Sequence, residues 1–136
     1  MDPLTLVTSI LGVAKSLLGL SDKLRAADES RKARTATLFS SISDCLASIS
    51  SEIRSGNVPH GRCAELITYA EQLPGLVEAD VGHEKATELG RSLHSAYDVE
   101  GLAASLDTEA DKEPYLQKIE EASGKFRALA NIIRAS

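Results

Sequence analysis

The residues with the most chemical potential in this sequence are His60-Gly61-Arg62-Cys63 with Glu65, three histidines, two cysteines and an acidic run at residues 107–113. A cysteine near a helix N-terminus and beside an arginine has a lowered pKa and becomes a nucleophile. A turn followed by a buried thiol explains the same residues without chemistry. His83-Glu84 with Glu88 could share a helical face, as ligands do in metal-binding bundles. Such sites draw Glu-x-x-His from two helices, and the sequence has neither copy. Asp107, Glu109, Asp111 and Glu113 alternate like the oxygens of a calcium loop, but the central Gly and closing Glu are missing. A solvated helix start that complements the dipole accounts for them better. There is no His-Glu-x-x-His, Cys-x-x-Cys, glycine-rich phosphate loop or Gly-x-Ser-x-Gly. We therefore expect no catalytic residue, no metal and no cofactor.

The elements that must carry these residues are helical. Among 136 residues, 43% are hydrophobic and 26% charged, the balance of an ordinary soluble domain. Leu, Ile and Ala predominate, Trp is absent, and only two Phe and three Tyr occur, a palette suited to helices more than sheets. Apolar residues recur at spacings of three and four. The first helix should open at Asp2-Pro3 and run past Leu20. Residues 22–34 either break the chain or continue it as a solvated helix. A second helix presents Leu38, Ile42, Cys45, Leu46, Ile49 and Ile53, and Ser55-Gly56-Asn57 stops it before Pro59. A third carries Cys63, Leu66, Ile67, Ala70 and Leu73, with Pro74-Gly75 ending or kinking it and a short turn through Leu76, Val77 and Val81.

A fourth helix resumes near His83, with Ala86, Leu89, Leu93, Ala96 and Tyr97, onward to Leu102 and Leu106. The fifth opens in the acidic run, has Pro114 in its first turn, and presents Tyr115, Leu116, Ile119, Phe126, Leu129, Ile132 and Ile133. Thr108 with Asp111 resembles a capping box. No repeat or dividing linker interrupts the pattern. The expectation is one all-α domain over residues 1–136, an up-and-down bundle of four to five helices. In a helical hairpin turning near Gly56, Cys45 and Cys63 fall several ångströms out of register, so two reduced, buried thiols are expected. Met1 is followed by no basic segment and no small-residue cleavage site, which predicts no secretory signal and a cytoplasmic chain.

Charge is uneven. The net is −5, but residues 1–62 carry eight Lys/Arg against six Asp/Glu, and residues 63–136 seven against fourteen. Opposite halves suit intramolecular packing or head-to-tail self-association. An acidic chain with few aromatics is a poor nucleic-acid binder, so no nucleic-acid partner is expected.

The first helix departs from the ordinary pattern. Leu4, Val7, Ile10, Leu11, Leu17 and Leu18 belong to a broad apolar surface, and Lys15 is the only charge between Leu4 and Leu20. Thr5, Thr8, Gly12, Lys15, Ser16 and Gly19 form one narrow small or polar stripe. One account is a central helix enclosed by the others, whose stripe lets backbones approach closely. The other is a helix that the bundle shelters but releases to a membrane or to partner copies. About 17 residues sit at the lower limit for spanning a bilayer, and Gly12 and Gly19 weaken an isolated helix. Association through small residues within lipid is physically reasonable. Lys23, Arg25, Arg31, Lys32 and Arg34 follow directly, five of fifteen basic residues within twelve positions. Such a patch meets anionic lipid at roughly 1 kcal/mol per basic residue. Interleaved Asp22, Asp28 and Glu29 make a self-paired, solvated segment the alternative.

The opening Met1-Asp2-Pro3-Leu4-Thr5-Leu6, leading into Leu11-Gly12-Val13-Ala14, resembles the N-terminal domains of NLR-like signalling proteins, among them the HeLo and HeLo-like family and the bacterial Bell domains. The resemblance implies a helical bundle with a hydrophobic first helix, acting as a cell-death or immune effector. It implies oligomerisation on activation and membrane perturbation through that helix. The partners it implies are other copies or helical proteins and an anionic membrane surface, with a membrane-peripheral location on activation. The alternative is an oligomeric scaffold or protein-binding bundle in which the first helix is a permanent core element.

Overall fold

The computed structural model describes residues 3–94 and 109–135. They form α1 (Pro3–Gly19), α2 (Ser21–Arg25), α3 (Glu29–Arg54), α4 (His60–Val81), α5 (His83–His94) and α6 (Glu109–Arg134). No strand occurs among the described residues, so the fold is all-α, with the short α2 added to the five helices expected. Asp2, Ala96, Tyr97, Leu102, Leu106, Asp107 and Thr108, named above as helix or cap residues, lie outside the described residues.

The five longer helices close into a ring. α1 packs on α6 and α5, α6 on α3, α3 on α4, and α4 on α5. Each contributes its apolar stripe to one core: Ile10 and Leu17 from α1, Phe39, Ile42 and Leu46 from α3, Leu66 and Leu73 from α4, Leu93 from α5 and Phe126 from α6. At its centre the rings of Phe39 and Phe126 lie 5.9 Å apart, tilted by 46°, within the favoured range for aromatic pairs. α2 closes one end of the ring against α4 and α6, anchored by the buried Leu24.

Three local features differ from the pattern read in the sequence. The polar stretch 22–34 does both things considered for it. α2 ends at Arg25, and α3 begins at Glu29, well before Leu38, because the Asp28 side chain accepts a hydrogen bond from the Arg31 amide at 2.8 Å and caps a new helix.

Pro74 neither ends α4 nor opens a turn; Leu76, Val77 and Val81 are helical, and the break falls at Gly82 instead, at φ +92°. A proline inside a helix costs about 3 kcal/mol, and here burial of Leu73 and Val77 on either side offsets it. Gly90 of α5 is seated against this point. A Cβ there would lie 2.6 Å from Pro74 Cγ and 3.3 Å from the Ala70 carbonyl, the acceptor that Pro74 leaves unpaired. Pro114, likewise, lies inside α6 beyond its first turn. Only one carbonyl loses its partner there, and the ring sits on the exposed side.

The third difference is the α3–α4 register. Gly56, at φ +85°, ends α3 in a Schellman turn, with the amides of Gly56 and Asn57 donating to Ile53 and Glu52. Residues 57–59 form no helical turn, and the His60 amide donates to the Val58 carbonyl at 2.9 Å in a tight turn about Pro59. The connector thus turns the chain so that the Arg62 carbonyl accepts from Cys45 Sγ at 3.0 Å. Cys45 therefore lies beside the start of α4 rather than out of register with Cys63.

Candidate functional site

The cysteine neighbourhood assembles without becoming nucleophilic. Both thiols are free and buried. Cys45 Sγ donates to the Arg62 carbonyl at 3.0 Å, and burial, reinforced by the nearby Glu65 carboxylate, pushes its thiol from 9.0 up to about 12. The lowering effect of Arg62 on the Cys45 thiol is outweighed by burial and by Glu65, and the Arg62 guanidinium lies 2.7 Å from Glu65. The positive charge that would lower a thiol pKa is thereby directed into an ion pair. His60 is exposed at the start of α4. His83 and His94 belong to other ends of the fold, at 2.8 Å from Glu78 and 4.0 Å from Glu71. No group of three or more His, Cys, Asp or Glu that could hold a metal occurs among the described residues.

The first helix and its basic neighbour are the other candidates. On α1, Val7, Ile10, Leu11 and Leu17 are buried in the core together with Val13 and Ala14, and Leu18 packs half-buried at its edge. Leu4 falls within α1, its side chain outside what is described. The opposite side of the helix is open: Thr8, Lys15 and Gly19 are exposed and Gly12 and Ser16 half-exposed. A Cβ added at Gly12 or Gly19 would meet nothing within 4 Å. So α1 is one stave of the ring rather than an enclosed central helix, and its small-residue stripe does not serve close packing. No described helix is long and apolar enough to cross a membrane.

The basic cluster divides. Arg31 joins α3 to α4 through two hydrogen bonds to Asp80, at 2.8 and 3.3 Å, and also faces Asp28 at 3.6 Å. Lys32 is buried to 9% exposure with its Nζ 3.0 Å from Glu29. Arg25 is 3.7 Å from Asp22, both exposed. Lys23 and Arg34 are exposed, with Arg34 Nε at a long 3.5 Å from the Ser30 carbonyl. Arg31 thus ties two helices together, Lys32 pairs within its own helix, and the other three cations are exposed.

Three features have no signal in the sequence. Arg54 is clamped between Glu113 and Glu120 of α6, both at 2.7 Å; the pairing raises the Arg54 pKa and lowers that of Glu113. Ser43 and Ser123 exchange hydrogen bonds across the buried α3–α6 seam, each hydroxyl donating to the other's carbonyl at 2.8 Å. Arg127 pairs with Asp44 along the same seam. Partners in these groups are separated by dozens of residues, and no local pattern announces them. Equally silent in the sequence is a shallow apolar trough of about 700 Å³ between α3 and α4, floored by Leu38, Tyr69 and Leu76.

Every described Lys/Arg–carboxylate pair between helices joins α3 to α4 or α6, α5 meets α4 through the His83–Glu78 and His94–Glu71 contacts, and none of these includes a residue of α1. Comparison of the chain with protein-family models, with curated proteins and with solved structures finds no match.

Proposed function

We propose that this chain is a non-enzymatic effector or adaptor domain of cell-death or immune-type signalling. It acts by self-association, and it releases its first helix to a membrane surface or to partner copies. The observation that supports this reading is the way α1 is held. Its apolar side is buried, while the described inter-helix ion pairs and His–carboxylate contacts all join the other staves. Lipid tails are as apolar as leucine, so a bilayer can replace the contacts of α1 but could not replace a set of ion pairs. Exposed Lys15, Lys23 and Arg25 at and just beyond α1 would face anionic headgroups as the helix arrives. The resting domain is cytoplasmic in this reading and becomes membrane-peripheral on activation.

Dye leakage and co-sedimentation with vesicles containing anionic phospholipid test the proposal, for the native domain and for domain loosened by mild heating. Leakage is expected from the loosened form, reduced by Lys23→Glu with Arg25→Glu. If both forms leave vesicles sealed and unbound, and Leu18→Lys alters only folding stability, α1 is a permanent core element and the domain a plain scaffold.

A further inference from the structure

Resting on self-association, we propose a specific contact for it: two copies form a two-fold symmetric dimer in which α3 of each lies in the other's α3–α4 trough. The trough is open and largely apolar, with Leu38 on its α3 side and Tyr69 and Leu76 on its α4 side. Its walls are low, because Ala33 and Gly75 line it and a Cβ at Gly75 would meet nothing within 4 Å. That leaves width for a helix that itself presents small residues. The outer ridge of α3 presents Ala33, Thr37 and Ser41, one turn apart.

Charge selects a second copy of this chain as the occupant. Arg34 stands on the α3 rim, exposed, and no described carboxylate pairs with it. Glu71 stands on the α4 rim, 66% exposed, its one described side-chain contact the His94 ring at 4.0 Å. The trough therefore bears one positive and one negative rim, the pattern a surface needs to be complementary to itself under a two-fold axis. Arg31 beside Asp80 and Cys45 beside Arg62 fix the α3–α4 register and put Glu71 level with Leu38, one turn along from Arg34. An antiparallel crossing of the two α3 helices near Thr37 sets each Arg34 against the other copy's Glu71. Ala33 and Ser41 then meet across the axis, small residue against small residue. Two opposite-charge contacts form at once.

Sedimentation velocity across a concentration series tests this with surface changes that leave the core intact. The wild-type chain should dimerise. Arg34→Glu alone, or Glu71→Arg alone, doubles a like-charge contact and should weaken the dimer at least tenfold. Mixing the two single variants should restore it, because both contacts in the mixed dimer are again opposite in charge. Thr37→Cys should cross-link copies under mild oxidation, and Ala47→Cys, on the α6 side of α3, should not. A chain that stays monomeric at about millimolar concentration overturns the proposal, as does a dimer indifferent to both charge reversals. A monomer that instead binds anionic vesicles through Arg34 overturns it too. Because these variants leave α1 untouched, a dimer without vesicle leakage counts against the α1 reading alone, and leakage without a dimer against this contact alone.

Discussion

At Gly90 the missing side chain decides how near α5 can come to α4. Space for a methyl group is already filled by the Pro74 ring and the Ala70 carbonyl, so Gly90→Ala should destabilise the domain by about 1–3 kcal/mol through overpacking. Gly124, inside α6, has nothing within 4 Å of the place a methyl group would take, and should respond oppositely. Gly124→Ala should stabilise by roughly 0.5–1 kcal/mol from helix propensity, and urea melts of the pair give the sign of each. Cys45 makes a pH-dependent prediction. Its folded thiol holds a proton up to about pH 12, against 9.0 for the ordinary group. Between those values the unfolded chain has shed a proton that the folded chain keeps, so stability is full below pH 9 and falls as pH rises. Melts from pH 7 to 11 should show this slope, and Cys45→Ala should flatten it. Thiol reagents at pH 8 should reach Cys45 only as fast as the fold opens.

At the scale of elements, helices with a spaced apolar stripe are legible in the residues: α3 from Leu38 to Ile53 and the core face of α6 from Leu116 to Ile133. Where sequence and structure part, packing overrides local chemistry. Pro74 is a strong local stop, yet α4 continues because Leu73 and Val77 both reach the core and α5 leaves room. The cysteine register differs from that of a simple helical hairpin because non-helical residues 57–59 turn the chain at Pro59 and bring Arg62 beside Cys45. The ion pairs stay hidden for a different reason, since Arg31–Asp80 and Arg54–Glu113 exist only once the ring has formed. They should not contribute equally. Asp80 is 7% exposed and holds Arg31 with two hydrogen bonds, so Asp80→Asn should cost about 1–2 kcal/mol. The Arg54 cluster is open to solvent, so Glu120→Gln should shift the melt less and lose its effect in high salt.

Among the described residues the ion pairs and His–carboxylate contacts between helices are unevenly distributed, and none reaches α1. Native-state hydrogen exchange should find amides of α1 exchanging through a partial opening that leaves α3 and α6 protected. Equal protection of all three would mean that α1 opens only with global unfolding. The ring closure described above also has a consequence for biosynthesis. α1 leaves the ribosome before the other described helices, yet its main partner, α6, is the last of them to follow. At about 5–20 residues per second its apolar side waits on the order of ten seconds for cover. During that interval the nascent chain displays a greasy helix that chaperones, membranes or neighbouring nascent chains can reach, and translation speed sets how long they have.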